Sequence, residues 1–507
     1  MTHIENSREP SFLLIYAPQR QNIKFGTSKP EGSLGLLYLA GALQDNNFHV
    51  KVLDCSVGDE RHALKDTFYR QTELPNGMVR VGLTAHEIVH IAKDYDVIGI
   101  TSIFTAQTTM VEEVVEAIRQ AYPHKLIILG GVNARSLKER FFQVGANIIC
   151  LSEAEKTIVE IGQVLRKGSC DFSNIGGIAW KHNGEIRTNP TTNVELDLDK
   201  LPFPRWAMLP LERYWEINRP HGGGLKSGPV PYAPVMTSRG CPFKCRYCHI
   251  SREINGSVSG NLRQLRLKSF SRVLDEVGIL QALGVRHIYL EDDSLLGDKE
   301  RVKEIFRELI KRGLILSDVN GINLAHLTTN ASGAYAVDDE LLELMAEAGF
   351  KKLIYPVESG SQRVLNKYAT GKLNLKKHNV SGLIRKAKDL GIEIGGNYMF
   401  GFPDETREEM MMTYACAEEH MLCGLDYANF MIMTPFPGTD LYEMALQDDL
   451  FLPGTKPEDL DWTRPSLKTL IPPEELVSMI TYGWRKVNKP ERVERIKSMT
   501  PVSGVSS

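Results

Sequence analysis

In the first 170 or so positions the apolar residues fall into short, nearly continuous runs. These are Phe12–Pro18 (FLLIYAP), Val50–Cys55 (VKVLDC), Asp96–Phe104 (DVIGITSIF), Lys125–Val132 (KLIILGGV) and Ala146–Ser152 (ANIICLS). Between them stand segments with helical spacing, such as Leu34–Leu43 and Thr108–Tyr122. Continuous apolar strands joined by amphipathic helices are the pattern of a parallel sheet covered on both faces. The prediction is a doubly wound α/β domain over residues 1–170. Ligands of such sheets sit at the carboxyl ends of the strands. Here those ends carry small and polar groups: Thr101–Ser102, Gly130–Gly131, and Ser152 with Glu153.

The texture then changes. Ile175–Pro190 reads as a β-hairpin turning at Asn183–Gly184. A Pro- and Gly-rich stretch follows, so 171–230 is expected to be a hairpin and linker, with Trp206, Tyr214 and Trp215 available to pack on a neighbour. Strand–helix alternation resumes over 231–440. The strand candidates are Ala233–Ser238, Arg286–Asp292, Ile322–Thr329, Lys351–Ser359, Ile392–Gly401 and Tyr427–Pro435, with one intervening helix closing at Gly349. Six such units in about 200 residues predict a partial (β/α)6 barrel rather than a complete eight-unit one. Residues 441–507 read as a mostly helical extension with a disordered tail.

Charge and composition narrow the functional classes. The 507 residues hold 60 Lys and Arg against 63 Asp and Glu, a net charge of −3. That balance argues against a nucleic-acid footprint or an anionic membrane surface. No apolar run reaches the roughly 18–20 residues of a spanning helix. The opening MTHIENSREP has no signal-peptide pattern, and eight cysteines are too few for a disulfide scaffold, so a cytoplasmic location is expected.

Three of those cysteines crowd into TSRGCPFKCRYCHI, where Cys241, Cys245 and Cys248 form C-x3-C-x2-C directly after the first strand of the second half. Soft thiolates so spaced can converge on one centre, either zinc or an iron–sulfur cluster. A structural zinc usually takes four protein ligands. His249 is adjacent to Cys248 and awkward as a fourth, while Cys416 and Cys423 are far downstream. Three ligands with an open fourth position suit a [4Fe–4S] cluster whose unique iron binds a substrate or cofactor.

C-x3-C-x-aromatic-C after the first strand of a βα barrel resembles the radical S-adenosylmethionine (SAM) superfamily. The resemblance places Tyr247 against the adenine. It extends to EDDS (Glu291–Ser294), with Asp292 near the SAM amino group, and to VESGSQRVL (Val357–Leu365), with Glu358 and Ser359 near SAM. It continues through GGNYMFGFPDET (Gly395–Thr406), including Gly401, and MTPFPGT (Met433–Thr439), including Thr434. Glu31–Asp54, Gly99–Arg119, Leu129–Ser136 and Ala146–Ile158 resemble the cobalamin-binding domain, a Rossmann-like, flavodoxin-like fold, that precedes many such barrels. There the resemblance implies cobalamin contacts at Ser102, Gly130, Gly131, Ser152 and Glu153. No D-x-H-x2-G is present, so cobalamin is expected without a histidine ligand from the protein. SEAE (Ser152–Glu155) stands where G-E-x-E is more usual.

Together these imply an enzyme similar to the class B, cobalamin-dependent radical SAM methyltransferases. Such enzymes move methyl from methylcobalamin to an unactivated sp3 carbon through a 5′-deoxyadenosyl radical. The implied cofactors are a [4Fe–4S] cluster, SAM and cobalamin; the implied partners are a small-molecule substrate and a flavodoxin or ferredoxin electron donor. The alternative keeps both cofactors but performs an oxidative cyclisation or ring rearrangement. No side chain is assigned a catalytic role. The scattered His49, His86, His90, His287 and His326 read as satisfied surface or core groups.

Overall fold

The computed structural model describes residues 9–22, 30, 32–191, 194–220, 228–331 and 334–488. The expected disordered tail and the Gly-rich centre of the linker lie outside the described residues. The chain divides into two compact units. One is built from the chain up to Pro234 (a few residues after Gln21 apart) together with Arg252–Val285; the other comprises Val235–Ser251 and the chain from Arg286 onward.

In the first unit five parallel strands lie in the order Val50–Asp54, Phe12–Tyr16, Val97–Thr101, Leu126–Gly130, Ile148–Cys150. This is the 2-1-3-4-5 order of a flavodoxin-like sheet, with its switch point between Phe12–Tyr16 and Val97–Thr101. The strands are apolar throughout because both faces are covered. Leu13, Ile15, Ile98, Ile100, Ile127 and Leu129 pack against Val111, Val115 and Ile118 of the helix Thr108–Ala121. The hairpin extends the sheet: Ile178–His182 pairs antiparallel with Ile148–Cys150, and Glu185–Asn189 pairs with it in turn. Its turn residues Asn183 (φ 49°) and Gly184 (φ 87°) are both left-handed, as a two-residue I′ turn requires.

The aromatic residues of the linker are anchors. Tyr214 donates its hydroxyl to Asp54 (2.8 Å), Trp206 its indole N–H to the Pro234 carbonyl (3.1 Å) and Trp215 to that of Tyr232 (2.8 Å). Arg252–Val285 is tied into the same unit by buried charge. Lys268 and Glu276 have side chains 1% and 0% exposed and form an ion pair. Arg272 meets the other oxygen of Glu276 at 2.8 Å, and Lys268 also reaches the Tyr38 hydroxyl at 2.6 Å.

A second sheet holds six strands in chain order: Tyr232–Val235, His287–Leu290, Ile315–Asp318, Phe350–Glu358, Glu393–Phe400 and Tyr427–Ile432, the first of them spanning the division at Pro234. The last five pair in parallel. Five of the six lie where the apolar runs place them. The third does not: it is Ile315–Asp318, just past Gly313, whereas Ile322–Thr329 turns into a 3-10 helix at Leu324–Leu327. Asn323 diverts that run, because its side-chain oxygen accepts the Ala325 N–H (2.9 Å) and caps a turn instead of extending a strand. Near the end of the described chain, Asn488 makes two 2.9 Å hydrogen bonds to the backbone of Ala428 on the sixth strand. Among the described residues no helix is long and apolar enough to cross a membrane.

Removing the shared anion leaves two buried cations uncompensated, which typically costs about 3–5 kcal/mol. Glu276→Ala should therefore lower the urea midpoint of the first unit far more than loss of an exposed pair such as Lys311–Glu308, followed by tryptophan fluorescence.

Candidate active site

The cysteine loop is fixed by its backbone on two sides. Lys244–Cys245 forms a two-residue antiparallel ladder with Ala369–Thr370, Cys245 standing opposite Ala369. The next N–H, of Arg246, donates to the Tyr368 carbonyl (2.8 Å), and the Arg246 carbonyl accepts from Leu441 at the start of the helix Asp440–Gln447 (2.9 Å). Cys248 closes a turn on Cys245 (3.0 Å). All three thiols are unbridged. Burial pushes Cys241 up to about 11 and raises Cys245 and Cys248 as well. The bare protein thus holds neutral thiols, and binding a metal centre displaces their protons. Among the described residues no group of three His, Cys, Asp or Glu side chains is arranged around a single metal ion. A loop of three thiols fits the donor set of an iron–sulfur cluster.

Several residues expected to serve SAM surround this loop. The Tyr247 ring lies 6.2 Å from that of Phe402 and packs on an apolar cluster of Val364, Tyr368, Met399, Phe402, Met433 and Leu441. Four of these, Val364, Met399, Phe402 and Met433, come from the fourth-, fifth- and sixth-strand segments that the sequence marks for SAM. Its hydroxyl is buried and has no hydrogen bond of good geometry. Glu358 ends the fourth strand in the left-handed region (φ 69°), after an irregularity in its pairing with the fifth. That backbone costs a non-glycine residue roughly 1–3 kcal/mol and persists only where its surroundings enforce it. Here Glu358 is buried and forms an ion pair with Lys372.

Other candidates have side chains already committed to the protein. The Ser359 hydroxyl accepts the Ser361 N–H (3.0 Å) and meets Thr413 (3.2 Å). Thr434 turns its hydroxyl to the carbonyls of Ile432 and Asp461 (3.0 and 3.1 Å). At Gly401 the N–H donates to Glu405 (2.8 Å), and a Cβ would come within 2.6 Å of Leu476. Asp292 accepts from the Thr237 N–H and hydroxyl and from Ser238, pinning the end of the first strand. The carboxylate facing the cysteine loop is Asp293, which accepts the Gly240 N–H (3.2 Å) and whose charge acts on Cys241 and Cys248. The two adjacent acids in EDDS thus meet different partners, which the one-dimensional motif does not resolve.

In the first unit the expected cobalamin contacts separate into two groups. At the switch point Ser102 is buried and accepts from Asn133 (2.8 Å), so its side chain faces inward. Gly131 (φ 104°) lies so close to the Ser102 carbonyl that a Cβ would sit 2.5 Å away, whereas Gly130 has more room. Just beyond, Ile103 and Phe104 are 39% and 49% exposed, apolar groups at the carboxyl edge that the sequence reading passed over. At the other end, the Ser152 hydroxyl donates to the Ser259 carbonyl (2.7 Å), and Glu153 forms a two-pronged pair with Arg266 (2.7 and 2.8 Å). A cleft of about 850 Å³ opens beside them, lined also by Glu155, Glu160, Gly177 and Glu195. An exposed apolar edge, a glycine cradle and a polar cleft fit a large ligand with an apolar face and a polar tail.

Glu405 is a further buried acid of this region. Its Oε2 accepts from Gly401 and Phe402, while Oε1 is buried without a partner. Burial pushes its carboxyl up to about 8 despite those two donors. A folded-state value above the unfolded one gives stability that is fully present below about pH 4 and lost as pH rises through about 8. Glu405→Gln should flatten the fall in thermal midpoint between about pH 5 and pH 8, measured by calorimetry.

Comparison with known proteins agrees with this geometry. Residues 29–162 match the B12 binding domain and residues 235–417 the Radical SAM superfamily. The chain is 28% identical over 447 residues to an uncharacterized methyltransferase of Pyrococcus horikoshii, covering 87% of this chain and 84% of that protein. It is 28% identical over 448 residues to the cytidylyl-2-hydroxyethylphosphonate methyltransferase of Streptomyces wedmorensis, covering 82% and 78%. In fold it is similar to the cobalamin-dependent S-adenosylmethionine radical enzyme OxsB with aqua-cobalamin bound, at a TM-score of 0.70 and 17% identity over 96% of this chain and 70% of that one. With a B12-binding match at residues 29–162 ahead of a radical SAM match at 235–417 that opens on a three-cysteine loop, the chain joins a B12-binding domain to a radical SAM domain, a pairing that works with cobalamin, a [4Fe–4S] cluster and SAM.

Proposed function

We propose that the protein is a cobalamin-dependent radical SAM methyltransferase acting on an unactivated sp3 carbon of a small molecule. The observation that carries this reading is the 28% identity to a phosphonate methyltransferase over 82% of the chain, across both domains. When bound, the cluster and SAM supply a 5′-deoxyadenosyl radical for hydrogen abstraction, and cobalamin supplies the methyl group.

The protein's own groups have the remaining tasks. Cys241, Cys245 and Cys248 would hold the cluster. Tyr247, Phe402 and Met433 offer SAM an apolar surface that excludes water, which protects a reactive intermediate from side reactions. Glu358 offers SAM a carboxylate, and Gly401, Ser359 and Thr434 offer backbone groups, since their side chains are already engaged. Asp292 acts by fixing the strand end and Asp293 by its charge beside the cysteine loop. In the first unit Gly130, Ile103 and Phe104 at the carboxyl edge would line the corrin site, Gly131 lets the chain close on the Ser102 carbonyl, and Ser102, Ser152 and Glu153 would fix the loops around it. Reducing equivalents come from a flavodoxin or ferredoxin.

A second reading, radical chemistry without methyl transfer, is favoured by the likeness to OxsB over 96% of the chain, an enzyme whose name specifies no methyl transfer. Anaerobic turnover with methyl-deuterated SAM separates the two, with cytidylyl-2-hydroxyethylphosphonate as first probe and a small-molecule extract as second. Methyl transfer predicts 5′-deoxyadenosine, S-adenosylhomocysteine and a product heavier by one labelled methyl. Formation of 5′-deoxyadenosine with no label in any product would exclude it.

A further inference from the structure

The mechanism above leaves one buried charge in the cysteine neighbourhood without a task. Lys372 follows the two-residue ladder in which Cys245 stands opposite Ala369. Gly371, left-handed at φ 77° and with open space around it, turns the chain there, and the Lys372 N–H closes the turn on the Ala369 carbonyl (3.0 Å). The turn therefore carries the lysine back toward the thiol that the ladder has just fixed. Its side chain is 16% exposed and ends in the ion pair with Glu358, itself 7% exposed.

The pair is not electrically neutral as seen from Cys245. At Cys245 the positive charge of Lys372 acts more strongly than the negative charge of Glu358. At Cys241 Lys372 again opposes the thiol's proton, while Asp293 favours it. The ladder and the turn thus place this buried ion pair beside Cys245. A cluster held by three cysteinates gains negative charge on reduction, so a nearby buried cation stabilises the reduced form and raises the potential. Weak solvent screening at a buried site makes such a charge effective.

We propose that Lys372 is a positioning residue for the [4Fe–4S] cluster of Cys241, Cys245 and Cys248: its ammonium raises the cluster's reduction potential, and its ion pair holds Glu358 in the left-handed turn that ends the fourth strand. Glu358 sets the size of the first effect by offsetting part of the lysine's charge. The assignment rests on the cluster and is independent of whether methyl is transferred.

The test is an anaerobic redox titration of the reconstituted full-length protein without substrate, followed by the EPR signal of the reduced cluster. Variants are Lys372→Met, Lys372→Arg and Glu358→Gln, each checked for iron and sulfide content. The expected result is a midpoint lowered in Lys372→Met, largely restored in Lys372→Arg, and raised in Glu358→Gln, whose lysine is no longer offset. Opposite shifts from the two partners are an electrostatic signature that a merely structural pair would not give. Should Lys372→Met fail to hold iron, Glu358→Gln decides alone. A midpoint in Glu358→Gln equal to or below that of the parent protein, or one in Lys372→Met equal to the parent's, overturns the proposal.

Discussion

The barrel's chemistry depends on a short piece of backbone pairing. Cysteines only a few residues apart in a loop have no fixed mutual geometry, because the loop backbone is free to place each thiol separately. The ladder between Lys244–Cys245 and Ala369–Thr370 removes that freedom for the middle cysteine, and the bonds from Arg246 to Tyr368 and Leu441 extend the constraint toward Tyr247 and Cys248. Those bonds couple the loop to chain segments more than a hundred residues away. The same segments carry Tyr368 and Leu441 of the apolar cluster around Tyr247, so the thiols and part of the aromatic surface are set by one arrangement.

Carboxylates around this frame divide their labour by environment rather than by identity. Asp292 saturates its oxygens on the end of the first strand and is a structural pin, while Asp293 presents charge to the cysteine loop. Asp404, gripped by Lys367, Tyr368 and Arg363, is held well below the usual carboxylate range although burial acts the other way. Only one residue along, burial pushes Glu405 in the opposite direction, and its two backbone N–H donors offset that only in part. Neighbours in sequence therefore differ in charge state at neutral pH, and the backbone turn between them makes the difference possible.

The fold was legible wherever burial on two faces forces a continuous apolar run. All five parallel strands of the first sheet and five of six in the barrel are such runs, and Asn183–Gly184 announces its turn because few other pairs accept two left-handed residues. Ile322–Thr329 misleads because its composition suits a strand, while a single side-chain cap at Asn323 decides its conformation. The cysteine motif was legible because its three thiols lie close together in sequence. The long-range partners were not: Lys372 meets Glu358 through a turn, Glu153 meets Arg266 across 113 positions, and neither spacing repeats any pattern. Ile103 and Phe104 were read as the end of a strand, since only the end of the sheet ladder at Thr101 shows that they lie beyond it.

The segment Arg252–Val285 gives the chain an unusual itinerary. It leaves the first unit at Pro234, spends Val235–Ser251 in the second, returns for Arg252–Val285 and departs again at Arg286. The cysteine loop is thus strung between two lengths of chain that belong to the other unit's core, and Lys268 with Glu276 anchors the returning one. No single cut yields two whole units: severing at 234 would leave the first without the stretch that buries Lys268 and Arg272 in it. Excising the second unit therefore takes cuts at 234, 251 and 285, because a strip of the first unit's interior is threaded through its chain.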